Sequence, residues 1–574
     1  MQTVHIIHGS HALQLIGDSN FLEEWHELAD HTPGFSTLQE PDFVLSWYKQ
    51  YSDLFQVVLA FSKDEEGVLR ALVPLALHKA DGYLTHAGSY YAEYHGWLAR
   101  PEDTQEFFSK FLPQLKAEFP LKKWEWQWIP PHISFKELLS LDLKDMGIYL
   151  DFVNQETPEW NLLDEAKLKK TWKSSSLKSK IRRLKKRGEY KFELIEDPQR
   201  LYEVLQIAQY QCDFRKEAVN NVRPFADDPR NIDFSQTIME RSAGLHNSAL
   251  WLDDQLLAFH SGTTDGERVC LGMICFDPTE FKSSPGTILI AELARNLSET
   301  GYQTFDITPG KDGYKNRYAN QYTSLRKPLI YFSRSAYLKA QVSKQIKGIV
   351  ETVLDRYFPK IVGLPHLKKI SQDHLARLKE IRPSNLISII SSRFFRKMVF
   401  QIYRINNLSI EKGPNFSEAV KKQCYRDLML YDDKFPHLSR RSLLIEAMDK
   451  FKAQEKLYSL SDDGVLLSYA WLKQTKDAST MFETHIPAGA FIFHDFYVRE
   501  CQTGQSSFTH LIECMLHDAS QDAKRQIYIV VRKNSHFVPS LLKKERLHSM
   551  IEVSKVFIFT ALTSKRRTLQ SFNT

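Results

Sequence analysis

One local order occurs three times in this chain: strand, turn, amphipathic helix, buried strand. In the middle copy residues 268–276 read as a strand and Lys282-Ser283-Ser284-Pro285-Gly286-Thr287 as a turn. A helix then runs through Ser298 to a stop at Gly301, ahead of a second strand over 302–307. In the last copy the strands are 491–498 and 526–531, the turn is 499–506, and the helix ends near Ala519. In the first copy the strands are 83–98 and 124–129, and Arg100-Pro101-Glu102-Asp103 opens a helix that reaches Phe119. Repetition of this unit predicts α/β architecture with mixed sheets. Each unit also aims the unpaired N–H groups of a helix start at one point, where a phosphate can sit.

The three turns differ in chemistry. In Ser284-Pro285-Gly286-Thr287, Ser284 can cap free N–H groups, Pro285 suits the first helical turn, and Gly286 permits close backbone approach. Ile290, Leu293, Ala294 and Leu297 then share one helical face. The last copy keeps a small-residue turn with Gln502, Gly504 and Ser506, whose backbone N–H groups could hold a pyrophosphate. The first copy places Glu102 and Asp103 where an anion would go, so it reads as a degenerate copy kept for architecture.

At 574 residues the chain is too long for one core. Residues 1–150 read as mixed α/β, with helices over 20–30 and 41–51 and alternating strands over 55–61 and 68–77. Residues 160–335 form a second α/β unit: a basic helix over 178–188, a strand over 191–196, a helix over 201–212 and a hairpin turning at Asp253-Asp254. Residues 336–397, interrupted by Pro359, Pro365 and Pro383, read as a basic helical linker. Residues 398–574 form a third α/β unit, with a strand over 399–405, helices over 416–430 and 442–453, and a hairpin over 457–473.

The net charge of +6 is unevenly spread. Residues 167–191 carry net +11 and residues 338–397 net +9, leaving −14 on the rest. Such blocks attract polyanions or anionic membrane surfaces, although a solvated face is the plainer use of them. The six cysteines show no CxxC pair, which argues against a zinc site and for a reducing compartment. No basic segment followed by an apolar run opens the chain, and no 18 uncharged apolar residues run together. The expected location is cytoplasmic, with peripheral association at the inner face of a membrane as an option.

The middle unit resembles the CelD/BcsL-like acetyltransferases of the GNAT superfamily. The matching residues are Ala258-Phe259-His260, Ser284-Pro285-Gly286, Phe305-Asp306, Gly310 and Tyr314-Lys315, with Tyr318 near the usual aromatic. The basic helix and strand upstream resemble the family's opening, and Leu38-Gln39-Glu40-Pro41 and Pro74-Leu75 resemble its N-terminal half more loosely. The third unit resembles an ordinary GNAT domain through Val498-Arg499-Glu500-Cys501-Gln502-Thr503-Gly504-Gln505-Ser506 and through Asn534 after the next strand. It departs where Cys501 replaces Gln or Arg, Ser506 replaces Gly or Ala, and Leu541 stands where a tyrosine acid often sits. Paired units with one inert half also fit the FemAB-like branch. The resemblance therefore implies tandem GNAT-like acyltransferase domains, three units joined by the basic linker.

It further implies acyl transfer from acetyl-CoA or another acyl-CoA to an amine, with no metal. The acceptor would be a small amine or sugar, of a polysaccharide or cell-envelope precursor. Backbone amides would stabilise the oxyanion and a base would take the amine proton. His260, Asp306 and Tyr314 are the candidate catalytic groups, with His260 suited by its solution pKa. As a lone histidine in an apolar strand, His260 is also a candidate structural residue. Lys315 and Arg317 are candidate contacts to an anionic substrate. Ser284, Pro285, Gly286, Thr287, Gln502, Gly504, Ser506 and Asn534 are the candidate cofactor contacts. Two other readings stand beside this one. A FemAB-like enzyme would use aminoacyl-tRNA, with residues 167–191 as the tRNA footprint. A membrane-peripheral scaffold with decayed domains would use residues 385–403 at an anionic surface.

Overall fold

The computed structural model describes residues 2–241, 244–310, 314–357, 395–405, 419–432, 439–475, 486–520, 526–532 and 547–558. It divides into two compact units, Met1–Val342 and Ser343–Thr574. The stretches 1–150 and 160–335, read above as separate units, thus fall within one.

The first unit opens with β1 (Thr3–His8), α1 (Ser10–Leu15), α2 (Ser19–Asp30), α3 (Pro41–Gln50), β2 (Phe55–Lys63) and β3 (Leu69–His78). Then follow β4 (Leu84–His86), β5 (Leu98–Ala99), α4 (Pro101–Glu118), β6 (Lys123–Glu125) and α5 (Lys136–Leu139). Local chemistry sets the helix starts: Asp18 accepts from the Asn20 N–H, and Pro41 occupies the first turn of α3. The strands form the antiparallel order β1-β2-β3-β4, with β5 also on β3. Both faces are buried, which is why β2 and β3 read as nearly continuous apolar runs. Val57, Leu59 and Phe61 pack with Phe21, Trp25 and Trp47 of α2 and α3. Val58 and Ala60, one residue out of phase, pack with Phe107, Phe108 and Phe111 of α4. At the start of α4, Asp103 and Glu106 accept from the Gln2 side chain and backbone N–H, so acids of the protein occupy this helix end.

The rest of this unit comprises β7 (Tyr149–Asn161), α6 (Glu165–Lys173), α7 (Ser175–Lys185), β8 (Tyr190–Ile195), α8 (Pro198–Asn220), α9 (Asn231–Glu240), β9 (Leu245–Leu252) and β10 (Gln255–Asp265). Next come β11 (Arg268–Cys270), β12 (Met273–Phe276), α10 (Pro285–Glu299), β13 (Thr304–Asp306), α11 (Lys315–Tyr318) and β14 (Gln321–Tyr331), and the start of α12 (Arg334–Tyr357), whose later residues fall in the second unit. The sheet runs β6-β14-β7-β13-β11-β10-β9-β8, with β12 also on β10. β6 comes from the N-terminal half, so this sheet stitches the halves together.

The second unit contains β15 (Phe395–Ile405), β16 (Lys421–Lys422), β17 (Lys456–Asp462), β18 (Val465–Gln474), β19 (Phe491–Val498), β20 (Ile527–Arg532) and β21 (Leu547–Ile558). Its order is β16-β17-β18-β19-β20-β15-β21. The two sheets share one plan. A parallel pair lies near the centre, β11 with β13 and β19 with β20. The strand that precedes each domain in sequence, β7 or β15, inserts antiparallel between the second member of that pair and the last strand. The repeat expected from sequence is therefore a repeat of topology. The fold is mixed α/β, as read.

Several boundaries differ from the sequence reading. The expected strand 83–98 is two short strands, because Gly88 takes φ 88° and starts a 3-10 turn. The expected strand 268–276 breaks at Gly272, whose φ is 50° and whose hypothetical Cβ would stand 2.4 Å from the Ser261 carbonyl oxygen. The basic helix expected over 178–188 runs over Ser175–Lys185 as α7, and a separate helix, α6, precedes it. Of the expected linker 336–397, residues up to Tyr357 continue α12 and residues from Phe395 enter β15, paired on both edges. That pairing removes residues 395–403 from a surface-lying helix, and 385–394 lie outside the described residues. The expected helix 416–430 is helical only over Tyr425–Met429.

Candidate active site

The opening around which the site is built follows from the broken strand. β11 pairs parallel with β13 over Arg268↔Thr304, Val269↔Phe305 and Cys270↔Asp306. Beyond Gly272 the chain continues as β12, which pairs with β10 alone. The two strands thus part and leave a wedge. Strand alternation, with the Asp277 N–H on the Leu257 carbonyl, turns the N–H groups of Ile274 and Phe276 away from β10 and toward the wedge.

The wedge ends at the start of α10. Ser284 adopts a left-handed conformation, φ 55° and ψ 52°, and makes no side-chain cap. This corrects the capping role expected of it. Its carbonyl, not its hydroxyl, accepts from the Thr287 and Ile288 N–H groups. Gly286 lies against Phe276: a Cβ there would stand 3.2 Å from the ring. Pro285 is buried, and Gly286 and Thr287 are half-buried. Tyr318 of α11 stacks on Trp160 at 5.6 Å and lies alongside Thr287 and Arg317.

Beneath the wedge sits a buried polar network drawn from both halves. Asp306, fully buried at the end of β13, accepts from the Tyr94 hydroxyl at 2.5 Å, Thr157 Oγ1 at 2.9 Å and the Thr308 N–H at 2.8 Å. Arg268 Nη1 bridges Glu159 at 2.6 Å and Asp306 at 3.2 Å, and its Nη2 meets His132 Nε2 at 2.9 Å. Thr323 donates to the other Glu159 oxygen. Burial, and then the Asp306 carboxylate, with the Cys270 thiol and the Glu93 carboxyl adding to it, push the Tyr94 hydroxyl pKa well up. Asp306 is thereby saturated with donors and held away from solvent. Its place is to fix the strand end, which corrects the reacting role expected of it.

Two charged groups stand in front of this network. Lys315 is buried, and its Nζ donates to the Thr308 carbonyl at 2.9 Å and the Pro309 carbonyl at 3.2 Å. Half-buried Glu93 comes from the N-terminal half, beside Tyr94. Burial raises its carboxyl pKa against the opposing charges of Lys315 and Lys216, and Asp306 adds to the rise. Among the described residues Glu93 has no hydrogen-bond donor. Tyr314, half-buried, packs at the edge of the core under α10.

His260 is not at this opening. It is fully buried in β10, packs by His246 and Phe305, and has the Cys270 and Leu271 backbones as polar neighbours of its ring beside His246. Burial, then the neighbouring His246, lowers its pKa to about 3. A neutral ring closed to solvent cannot take a proton from an incoming amine, so the base assignment is corrected.

In the second unit the turn before the helix Gln502–Ser520 is engaged internally. The Gly504 N–H donates to Cys501 Sγ at 3.2 Å and the Gln505 N–H to the Cys501 carbonyl at 3.0 Å. Ser506 Oγ donates to the Thr503 carbonyl. A Cβ on Gly504 would stand 2.2 Å from the Arg499 carbonyl oxygen, so glycine is required here for close packing. The phosphate-holding role expected of these N–H groups meets acceptors already in place. Asn534 and Leu541 lie outside the described residues. Among the described residues no group of metal-ligating side chains forms, and no helix is long and apolar enough to cross a membrane.

Sequence reasoning missed Glu93, Tyr94, Thr157, Glu159 and Arg268. Their partners lie as far as 212 positions away in the chain, and no local pattern marks them.

Residues 173–316 match the family model described as acetyltransferase (GNAT) domain. No curated protein matches the chain. Solved structures with likeness to it include FemX, at 12% identity over 53% of this chain and 95% of that one, TM-score 0.38. They include the C-terminal domain of a putative lysylphosphatidylglycerol synthetase from Agrobacterium fabrum, at 12% identity over 57% and 95%, TM-score 0.36. They also include a tandem GNAT protein from the clavulanic acid biosynthesis pathway, at 12% identity over 57% and 98%, TM-score 0.35. Within its first compact unit, residues 173–316 of this chain are thus similar to a GNAT acetyltransferase domain.

Proposed function

We propose that the first unit is an N-acyltransferase that moves an acyl group from an acyl-CoA thioester to an amine. The observation that carries this is the wedge between β12 and β13, ending at the α10 start, where Ser284 leaves the helix without a side-chain cap. Donor phosphate would meet the helix N-terminus, and the thioester arm would lie along the wedge. The N–H groups of Ile274 and Phe276 would receive the oxyanion. The amine nitrogen forms the new C–N bond, the C–S bond breaks, and the proton lost by the amine ends on the leaving thiolate. Glu93 serves as the base in that transfer. Its desolvated carboxylate is a stronger base than an exposed one, and it faces the strand end from across the seam between halves. Lys315 orients the loop that borders the acceptor, with Tyr314 on the same side. The resemblance to the CelD/BcsL-like enzymes favours a sugar amine or envelope precursor as acceptor.

The test is acetyl-CoA binding by calorimetry to the intact protein. One equivalent is expected, and Gly286→Val, which drives a branched side chain toward Phe276, should abolish it. Undiminished binding by a folded Gly286→Val protein would sink the assignment. A second donor, aminoacyl-tRNA, is favoured by the uncompensated positive charge of α6 and α7. A mobility shift with tRNA at low salt, against no heat with acetyl-CoA, would select it.

A further inference from the structure

Three cations beside the α10 start have no partner that explains them. α7 runs past this helix start, and Arg187, just after α7, pairs with Glu280 at 2.6 Å and donates to Ser283 Oγ at 3.3 Å. That contact fixes α7 against the segment leading into Ser284. Back along the same face lie Arg183 and Lys180, four and seven residues earlier, and Arg317 approaches from α11. Most charged neighbours are matched: Lys169 with Glu165, Lys191 and Arg200 with Glu193, and Arg295 with Glu292. Lys180, Arg183 and Arg317 are in no ion pair among the described residues. They sit close enough to repel, since partial burial and then the charges of Arg317 and Arg183 lower the Lys180 pKa.

A second observation points into the same place. Tyr318 is 5% exposed, and its hydroxyl is buried with no hydrogen-bond partner. Thr287 and Arg317 stand on the donor side of its oxygen, so the hydroxyl's own hydrogen is left for an acceptor at the helix start. A buried hydroxyl left without a partner is costly, and a ligand oxygen would remove that cost.

The geometry points to a phosphomonoester site: Lys180, Arg183 and Arg317, with the Thr287 and Tyr318 hydroxyls, bind the ribose phosphate of a nucleotide-linked thioester donor. This rests on the acyl-CoA reading above. Charge argues for the monoester. The helix N-terminus supplies roughly half a positive charge, which suits part of a diphosphate. Three further unmatched cations call for another dianionic group, and a phosphomonoester carries about −1.5 to −2 at neutral pH. The planar Arg183 and Arg317 forks suit the terminal oxygens of such a group.

The experiment compares acetyl-CoA with its 3′-dephospho form by calorimetry on the full chain. The native protein should bind the dephospho form about tenfold or more weakly, the loss expected for charge-assisted hydrogen bonds. Lys180→Ala with Arg183→Ala, and separately Arg317→Ala, should bring the two ligands to within about threefold of each other. Arg182→Ala, which removes an exposed charge on another face of α7, should leave the discrimination intact. Equal affinity of the native protein for both ligands overturns the phosphate site and leaves the donor reading standing. An equal effect of Arg182→Ala overturns it too, by assigning the discrimination to general charge. Absence of any acetyl-CoA binding overturns both. A tRNA complex that is lost in the same variants, with no discrimination between the two thioesters, assigns the cations to a nucleic acid instead.

Discussion

Replacing Arg268 by Met tests the buried network directly. The substitution keeps an unbranched apolar stem and removes the guanidinium that bridges Glu159 and Asp306, at 2.6 and 3.2 Å. Both carboxylates are almost fully buried, at 1% and 0% exposure. Removing one partner of a buried pair typically costs about 3–5 kcal/mol. Here the lower end is expected, about 3 kcal/mol, because Asp306 keeps Tyr94, Thr157 and the Thr308 N–H while Glu159 keeps Thr323. Adding Glu159→Gln to Arg268→Met should recover about 1–2 kcal/mol, the coupling expected for groups in direct contact. Urea denaturation followed by tryptophan emission reads the right unit, since every tryptophan except Trp471 lies within Met1–Val342. A loss below about 1 kcal/mol, or a double variant no more stable than Arg268→Met, would refute the argument that this arginine neutralises buried charge.

Other outcomes follow from the same structure. Buried histidines should make the first unit acid-sensitive. His95 and His260 have folded pKa values lowered to about 3 and His246 to about 4, chiefly by burial, so the unfolded chain, titrating near 6.5, takes up protons first. Stability is therefore complete above about pH 6.5 and falls as pH drops toward 3, by about 2 kcal/mol at pH 5 for each of His95 and His260. A tryptophan-monitored urea midpoint that stays flat between pH 7 and 5 contradicts this. Glu93→Gln should lower kcat/KM for acetyl transfer about 100-fold or more and remove the acidic limb of the pH profile, with acetyl-CoA affinity unchanged. Thiol release with glucosamine as trial acceptor measures it, and an unaltered profile excludes Glu93 as base. Gly504→Ala should loosen the helix Gln502–Ser520 against Arg499, seen as faster amide exchange in that helix, whether or not any nucleotide is present.

The sequence by itself determined the elements and their repetition. The strand runs over 55–61 and 68–77, the capped start of α2, the Pro41 start of α3 and the stop at Gly301 are local facts of side-chain type and backbone freedom. They survive folding because each is decided within a few residues. The Ser284–Thr287 turn was legible for the same reason, and it stands at the end of the wedge.

Tertiary structure alone decided what each polar residue does. His260, read from its pKa in water, became a neutral core ring because β9, β12 and β13 enclose it. Asp306, read as a reacting carboxylate, became a strand-end anchor because Tyr94, Thr157 and Arg268 converge on it from three distant segments. Gly504, read as a phosphate contact, proved to be a packing glycine because Arg499 backs onto it. Glu93 had no sequence signal at all, since its character comes from burial beside Lys315 and Lys216. A side chain's protonation and reach depend on the charges and solvent within a few ångströms. For Asp306 and Glu93 those neighbours include residues more than a hundred positions away in sequence, and only the fold brings them together.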